Sequence, residues 1–232
     1  MTQHALIFDL DGTLVDSLPG IANSLNRALA GMGLAGHSQQ AVRGFIGNGA
    51  RVLVARAAPH GTADGLLGQL EQAFKEDYDL TWPQGTAAYP GVAGVLAQLQ
   101  HRGAALAVLS NKPHPFTTAM VSALFPAVAF AAVLGQRPGT PHKPNPAGAF
   151  EIAATLGLPP QACMVIGDST MDLETARNAG MRAVAVTWGY HDLDTLLATR
   201  PDAVLDTPEA LLVLLDKVPN EPYWPTRTFS PH

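Results

Sequence analysis

With 232 residues, 47% of them hydrophobic and 14% charged, the chain is long enough for one large domain or two unequal ones around a substantial core. Its net charge of −5 offers no basic stripe to meet a phosphate backbone, which argues against nucleic acid as a partner; any anionic ligand must be held by a few local cations. Cys163 is the only cysteine, which excludes an intrachain disulfide. With no secretory leader or bilayer-length apolar run legible, a cytoplasmic residence is expected.

The chain opens on ALIFDLDGTLVDS, residues 5 to 17. Ala5 to Phe8 is a short apolar run of the kind a strand buried on both faces shows, and Asp9 arrives where the run stops, at the expected carboxyl edge of a sheet. If the strand continues, Asp9 and Asp11 point the same way with Cα atoms roughly 6.6 Å apart. Two like charges that close call for a divalent cation, a shared proton, or both. Gly12 lets the chain bend away, and Thr13 adds a hydroxyl at the bend.

From Ser17 to about Trp82 the spacing turns helical. Ile21, Leu25, Leu29 and Met32 recur along a first helix, Ser38 caps a short second one through Phe45, and Leu53, Val54 and Ala57 mark a third. Thr62 caps a longer one whose buried stripe is Leu66, Leu70, Phe74 and Tyr78. The run Pro83 to Gly91 returns to a chain that alternates strand-like runs (104–109, 128–134, 162–166, 183–187, 203–205) with helical segments, the pattern of right-handed βαβ units. The fold class is therefore α/β, a doubly wound parallel sheet with a second, smaller all-helical unit. Residues 1–16 and 84–217 form the sheet domain and 17–83 the helical one. The proline- and aromatic-rich stretch 218–232 is expected to be an extended tail.

The remaining candidates follow strand runs. Ser110, Asn111 and Lys112 come after 104–109, where a hydroxyl and backbone N–H groups suit phosphate oxygens, although such a tripeptide is commonly a polar loop. Lys143 precedes Asn145, a helix cap, and Pro146. Asp168 and Asp172 follow 162–166 and lie on one side of a helix start, where the dipole alone accounts for one acid.

These strings resemble the four motifs of the haloacid dehalogenase superfamily of phosphohydrolases. ALIFDLDGTLVDS resembles the nucleophile motif DxDGTLxDS, Ser110 the second motif, Lys143 the third, and GDSTMD, residues 167 to 172, the fourth. The resemblance implies a Mg²⁺-dependent phosphatase in which Asp9 is the nucleophile and forms an aspartyl-phosphate. Asp11 is then the acid/base and Lys143 the charge-offsetting cation. Mg²⁺ is held by Asp9, Asp168 and the Asp11 carbonyl, with Asp172 behind them. Ser110 and Asn111 bind phosphate, Thr13 and Asp16 fix the turn with Thr13 near the substrate, and the helical unit is a cap. GFIGNGA, DSLPGIANSLNRAL, GQRPGTPHKPNP and VTWGYHD further resemble bacterial phosphoglycolate phosphatases, over nearly all of residues 4 to 215. That implies a small phosphorylated metabolite as partner, 2-phosphoglycolate above all, with Arg51 meeting its carboxylate, in a monomer or homodimer. A broad-specificity sugar-phosphate or nucleotide phosphatase shares the same catalytic residues. Trp188 and Tyr190 read as packing residues, and His114 and His191 as loop residues without a role.

Overall fold

A computed structural model describes residues 4–216, so the expected tail at 218–232 lies outside the described residues. β1 (Ala5–Phe8), wholly buried, lies inside a six-stranded sheet. Its partners are β4 (Ala105–Pro113) and β6 (Cys163–Gly167). β5 (Ala132–Gln136) extends the sheet beyond β4, while β7 (Arg182–Val186) and β8 (Ala203–Leu205) extend it beyond β6. Every pairing is parallel, and the order β5-β4-β1-β6-β7-β8 reverses direction at β1, which opens a crevice at the carboxyl ends of β1 and its neighbours.

Alternation along the strands splits the apolar side chains between two layers. Leu6, Phe8, Leu106, Val108, Met164 and Ile166 face one way, onto α5 (Val92–His101) and α6 (His114–Leu124). Ala5, Ile7, Ala107, Val165 and Ala185 face the other, onto α7 (Ala147–Leu156), α8 (Thr170–Ala179) and α9 (Leu193–Ala198). Alanines dominate the second layer, so its helices approach the sheet closely. Burial of each large side chain contributes about 1.5–3 kcal/mol, so Leu6, Ile7 and Phe8 anchor β1 firmly between the two layers.

Four helices stand between residues 15–16 and 87–88: α1 (Leu18–Gly31), α2 (Gln39–Arg43), α3 (Ala50–Ala57) and α4 (Asp64–Thr81). Leu25 and Leu29 on α1 and Leu70, Phe74 and Tyr78 on α4 are buried in one continuous cluster with the first sheet layer. The root of the insertion is tied by a two-residue antiparallel ribbon, β2 (Val15–Asp16) against β3 (Ala87–Ala88), which is too short to leave a periodic signal in the sequence. α10 (Ala210–Asp216) closes the described chain.

Several expectations shift. Ser38 does accept from the Ala41 N–H, but its helix ends at Arg43 rather than Phe45. Thr62 does not cap α4; its hydroxyl donates to Pro59 O, Ala63 occupies the cap position, and Leu66 is exposed. The strand run 104–109, which forms β4, continues past Leu109 through Ser110, Asn111 and Lys112, with a register shift against β5. Among the described residues no helix is long and apolar enough to cross a membrane.

Candidate active site

Asp9 is the first residue past β1, and its N–H still donates to Ile166 O (2.9 Å). The strand does not persist to Asp11: Leu10 O accepts from the N–H groups of Thr13, Leu14 and Val15, and Gly12 takes φ +88°. A turn, not the pleat, therefore brings the two carboxylates to one cavity. The sheet domain contributes Ser110, Asn111 and Lys112 from β4 and Lys143, Asp168, Tyr190 and His191 from the loops that follow its strands, and the helical insertion contributes Ile21, Ile46, Gly47, Leu53, Phe74 and Tyr78.

The Lys143 ammonium is turned inward. Nζ lies 2.6 Å from Asp172 Oδ1, 3.0 Å from Leu109 O and 2.8 Å from Asp9 Oδ1. Burial would lower its pKa, but Asp172 and Asp9 outweigh that and hold it above the ordinary lysine value, so it is a fixed positive charge. Asn111 positions it: Asn111 Oδ1 accepts from the Lys143 N–H (2.8 Å), and Nδ2 donates to Lys143 O and to Gly47 O of the insertion. Asp172 is both the partner of Lys143 and an acceptor from the Ser169 N–H and hydroxyl, so the helix-start explanation and the electrostatic one hold for the same side chain.

Asp168 accepts from Thr13 Oγ1 (2.9 Å) and from the Tyr190 N–H (2.7 Å). Gly12 and Gly189 pack against it so closely that a Cβ on either would run into its carboxylate or its Cβ. Burial, reinforced by Asp9 and Asp172, pushes the Asp168 pKa up to about 8. For Asp9 burial and Asp172 outweigh Lys143, giving about 7.

The donor set fits a hard divalent cation. Asp9, Asp168 and Asp172 bring carboxylate oxygens within 4.8 Å of one another. Both oxygens of Asp172 already accept from Lys143 and Ser169. Asp9 Oδ1 is buried and meets the Lys143 ammonium at 2.8 Å, with no other donor aligned on it, so it keeps lone-pair capacity for an ion. Asp172 already holds the Lys143 ammonium, whereas Asp168 meets only neutral donors, Thr13 and Tyr190, so Asp168 together with Asp9 has negative charge left for an ion.

Two expected residues stand elsewhere. The Thr13 hydroxyl is committed to Asp168 and does not line the cavity. The Arg51 guanidinium pairs with Asp64 and Glu71 and lines a neighbouring groove with Lys75 and His142, not the cavity that holds Asp9. Conversely, Lys112, Tyr78 and Tyr190 do line it. Lys112 Nζ lies 3.0 and 3.2 Å from the two oxygens of Asp11 and 3.0 Å from Tyr78 Oη. Its one sequence signal was its place directly after Ser110 and Asn111. Tyr190 is more than packing: its N–H holds Asp168, and its hydroxyl accepts from the N–H groups of Ser17 and Leu18 at the start of α1.

Known proteins resemble this chain in sequence and fold. A phosphoglycolate phosphatase of Yersinia pseudotuberculosis is 36% identical over 205 residues, covering 87% of this chain and 88% of that protein. One from Pectobacterium atrosepticum is 33% identical, covering 91% and 92%. The crystal structure of a predicted phosphoglycolate phosphatase from Haemophilus somnus superposes with a TM-score of 0.86 at 30% identity, covering 93% of this chain and 99% of that one. The model of the haloacid dehalogenase-like hydrolases matches residues 6–186, from the middle of β1 to the end of β7, and the chain belongs to that family.

Proposed function

We propose that the protein is a Mg²⁺-dependent phosphomonoesterase that converts 2-phosphoglycolate to glycolate and phosphate through an aspartyl-phosphate on Asp9, with the helical insertion acting as its cap. The observation that carries this reading is Asp9 itself: a buried carboxylate at a strand end, facing a cavity, with Lys143 at 2.8 Å and Asp11 beside it. An Asp9 oxygen attacks phosphorus and the bond to the ester oxygen breaks; Asp11 gives its proton to the departing alkoxide. Asp11 then takes a proton from water, whose oxygen attacks phosphorus and releases phosphate and the Asp9 carboxylate. Lys143 offsets the charge that builds between Asp9 and the phosphoryl oxygens, Ser110 faces those oxygens, and the Asn111 amide, spent on Lys143 and Gly47, holds Lys143 in place instead of binding phosphate. Asp9, Asp168 and the Asp11 carbonyl would hold Mg²⁺, which would supply positive charge against the phosphoryl oxygens. The names of the relatives support the choice of substrate.

The test is a phosphatase assay over a panel of small phosphomonoesters, with and without chelator. The expected result is Mg²⁺-dependent release of phosphate, fastest from 2-phosphoglycolate, and a loss in Asp9→Asn of at least about a thousandfold in kcat. Turnover by Asp9→Asn at the wild-type rate, or activity indifferent to chelation, would remove the reading.

A further inference from the structure

A substrate with a phosphoryl group and a carboxylate needs two cationic receptors inside an acidic protein, and the first is accounted for by Lys143. Arg51 does not supply the second, because its guanidinium is held by Asp64 and Glu71 outside the cavity. Among the described residues, Lys112 is the other lysine or arginine lining that cavity. Its side chain is only 5% exposed. We propose that Lys112 recognises the substrate's carboxylate and is the residue that sets the preference for phosphorylated 2-hydroxy acids.

The distances carry the assignment. Asp11, as the group that protonates the leaving oxygen, must come within hydrogen-bond reach of it, about 2.6–3.2 Å. Lys112 Nζ is 3.0 and 3.2 Å from the two oxygens of that same carboxylate. In a phosphorylated 2-hydroxy acid one carbon separates the ester oxygen from the carboxylate, so the carboxylate falls beside Asp11 and within reach of Nζ. An anion several carbons further along would not.

The ammonium has the capacity for it. Of its three donors one faces Tyr78 Oη (3.0 Å) and the others share Asp11; giving one Asp11 contact to a substrate oxygen leaves every donor used. The nitrogen also sits 4.6 Å from the Tyr78 ring centroid, so α4 of the helical insertion fixes the position of the charge. Selectivity is thereby shared between the sheet, which supplies the lysine, and the insertion, which aims it.

Lys112 holds this role only if the proposed substrate class is right, and the experiment separates the two. Wild-type enzyme and the Lys112→Met, Lys112→Arg and Arg51→Ala variants are assayed with 2-phosphoglycolate and with 2-hydroxyethyl phosphate, which has an alcohol in place of the carboxylate. The readout is the ratio of kcat/KM for the two substrates. Lys112→Met should lower that ratio by about 30-fold or more, as expected for loss of a charged hydrogen bond, mainly through the KM for 2-phosphoglycolate. Lys112→Arg should retain most of it, and Arg51→Ala all of it. A residue that only steadied Asp11 would depress both substrates together and leave the ratio unmoved; that result, or a ratio that collapses in Arg51→Ala instead, overturns the assignment. Should Lys112→Met not fold, Lys112→Gln is measured in its place on the same ratio. A wild-type enzyme with no preference for 2-phosphoglycolate would instead overturn the substrate reading itself.

Discussion

Asp168 is held by donors that the chain brings from far away: the hydroxyl of Thr13, 155 positions earlier, and the N–H of Tyr190. Supporting contacts of this kind orient a metal ligand, and losing one typically costs about 10–100-fold in metal affinity. Thr13→Val keeps the side-chain shape and removes the donor. It should weaken Mg²⁺ binding by about 10-fold or more, measured by calorimetry on the substrate-free protein, with the fold intact by circular dichroism. Unchanged affinity would mean that Thr13 serves only the turn. At this scale the acids were legible because a carboxylate directly after an apolar run is a local pattern. Which oxygen meets Thr13, and that Arg51 turns to Asp64 and Glu71, depends on contacts made only after folding.

At the scale of elements, α2 touches the site through one side chain. Arg43 Nε donates to Tyr190 O (2.5 Å) and a terminal nitrogen to Gly189 O (3.3 Å). The peptide between Gly189 and Tyr190 therefore offers its carbonyl to the insertion and its N–H to Asp168, so the docking of the insertion and the placement of Asp168 share one peptide plane. Arg43→Ala should loosen this latch. Backbone hydrogen exchange across residues 39–49 should rise, and kcat/KM should fall about 10-fold, while stability changes by less than about 1 kcal/mol because the side chain is partly exposed. Exchange that stays at the wild-type rate would mean that apolar packing alone holds the insertion shut. The inner sheet strands were readable from their apolar runs, since a strand covered on both faces cannot tolerate polar residues; at the sheet's edge β5 begins at Ala132, four residues later than its apolar run. β4 escaped that rule at its end: Ser110, Asn111 and Lys112 stay in strand conformation because they face the cavity, where polar groups have work to do. Periodicity likewise placed α4, but Leu66 falls in its first turn, beyond the reach of the buried cluster.

For the whole molecule the balance of charge in the interior decides how stability follows pH. Asp9, Asp11, Asp168 and Asp172 with Lys112 and Lys143 carry a net charge of about −2 when all are ionised, which one divalent cation cancels. Without a cation, burial is the main reason that Asp9 and Asp168 hold their protons up to about 7 and about 8. In the unfolded chain both titrate near 3.8, so between about pH 4 and 8 the native state binds more protons than the unfolded one. Stability of the metal-free protein must then fall as pH rises through that window, the reverse of the behaviour of salt-bridged carboxylates. On the proposed function a divalent ion is held by the deprotonated carboxylates of the native state, so its stabilisation should grow with pH. Thermal melts in chelator should show Tm falling from pH 5 to pH 8, and the gain in Tm on adding Mg²⁺ should be larger at pH 8. Surface carboxylates and histidines also titrate in this range, so the decisive comparison is Asp168→Asn, which removes one buried charge and should flatten both trends. A variant that keeps the wild-type slope, or a Mg²⁺ gain independent of pH, would show that Asp168 is not where the proton and the metal compete.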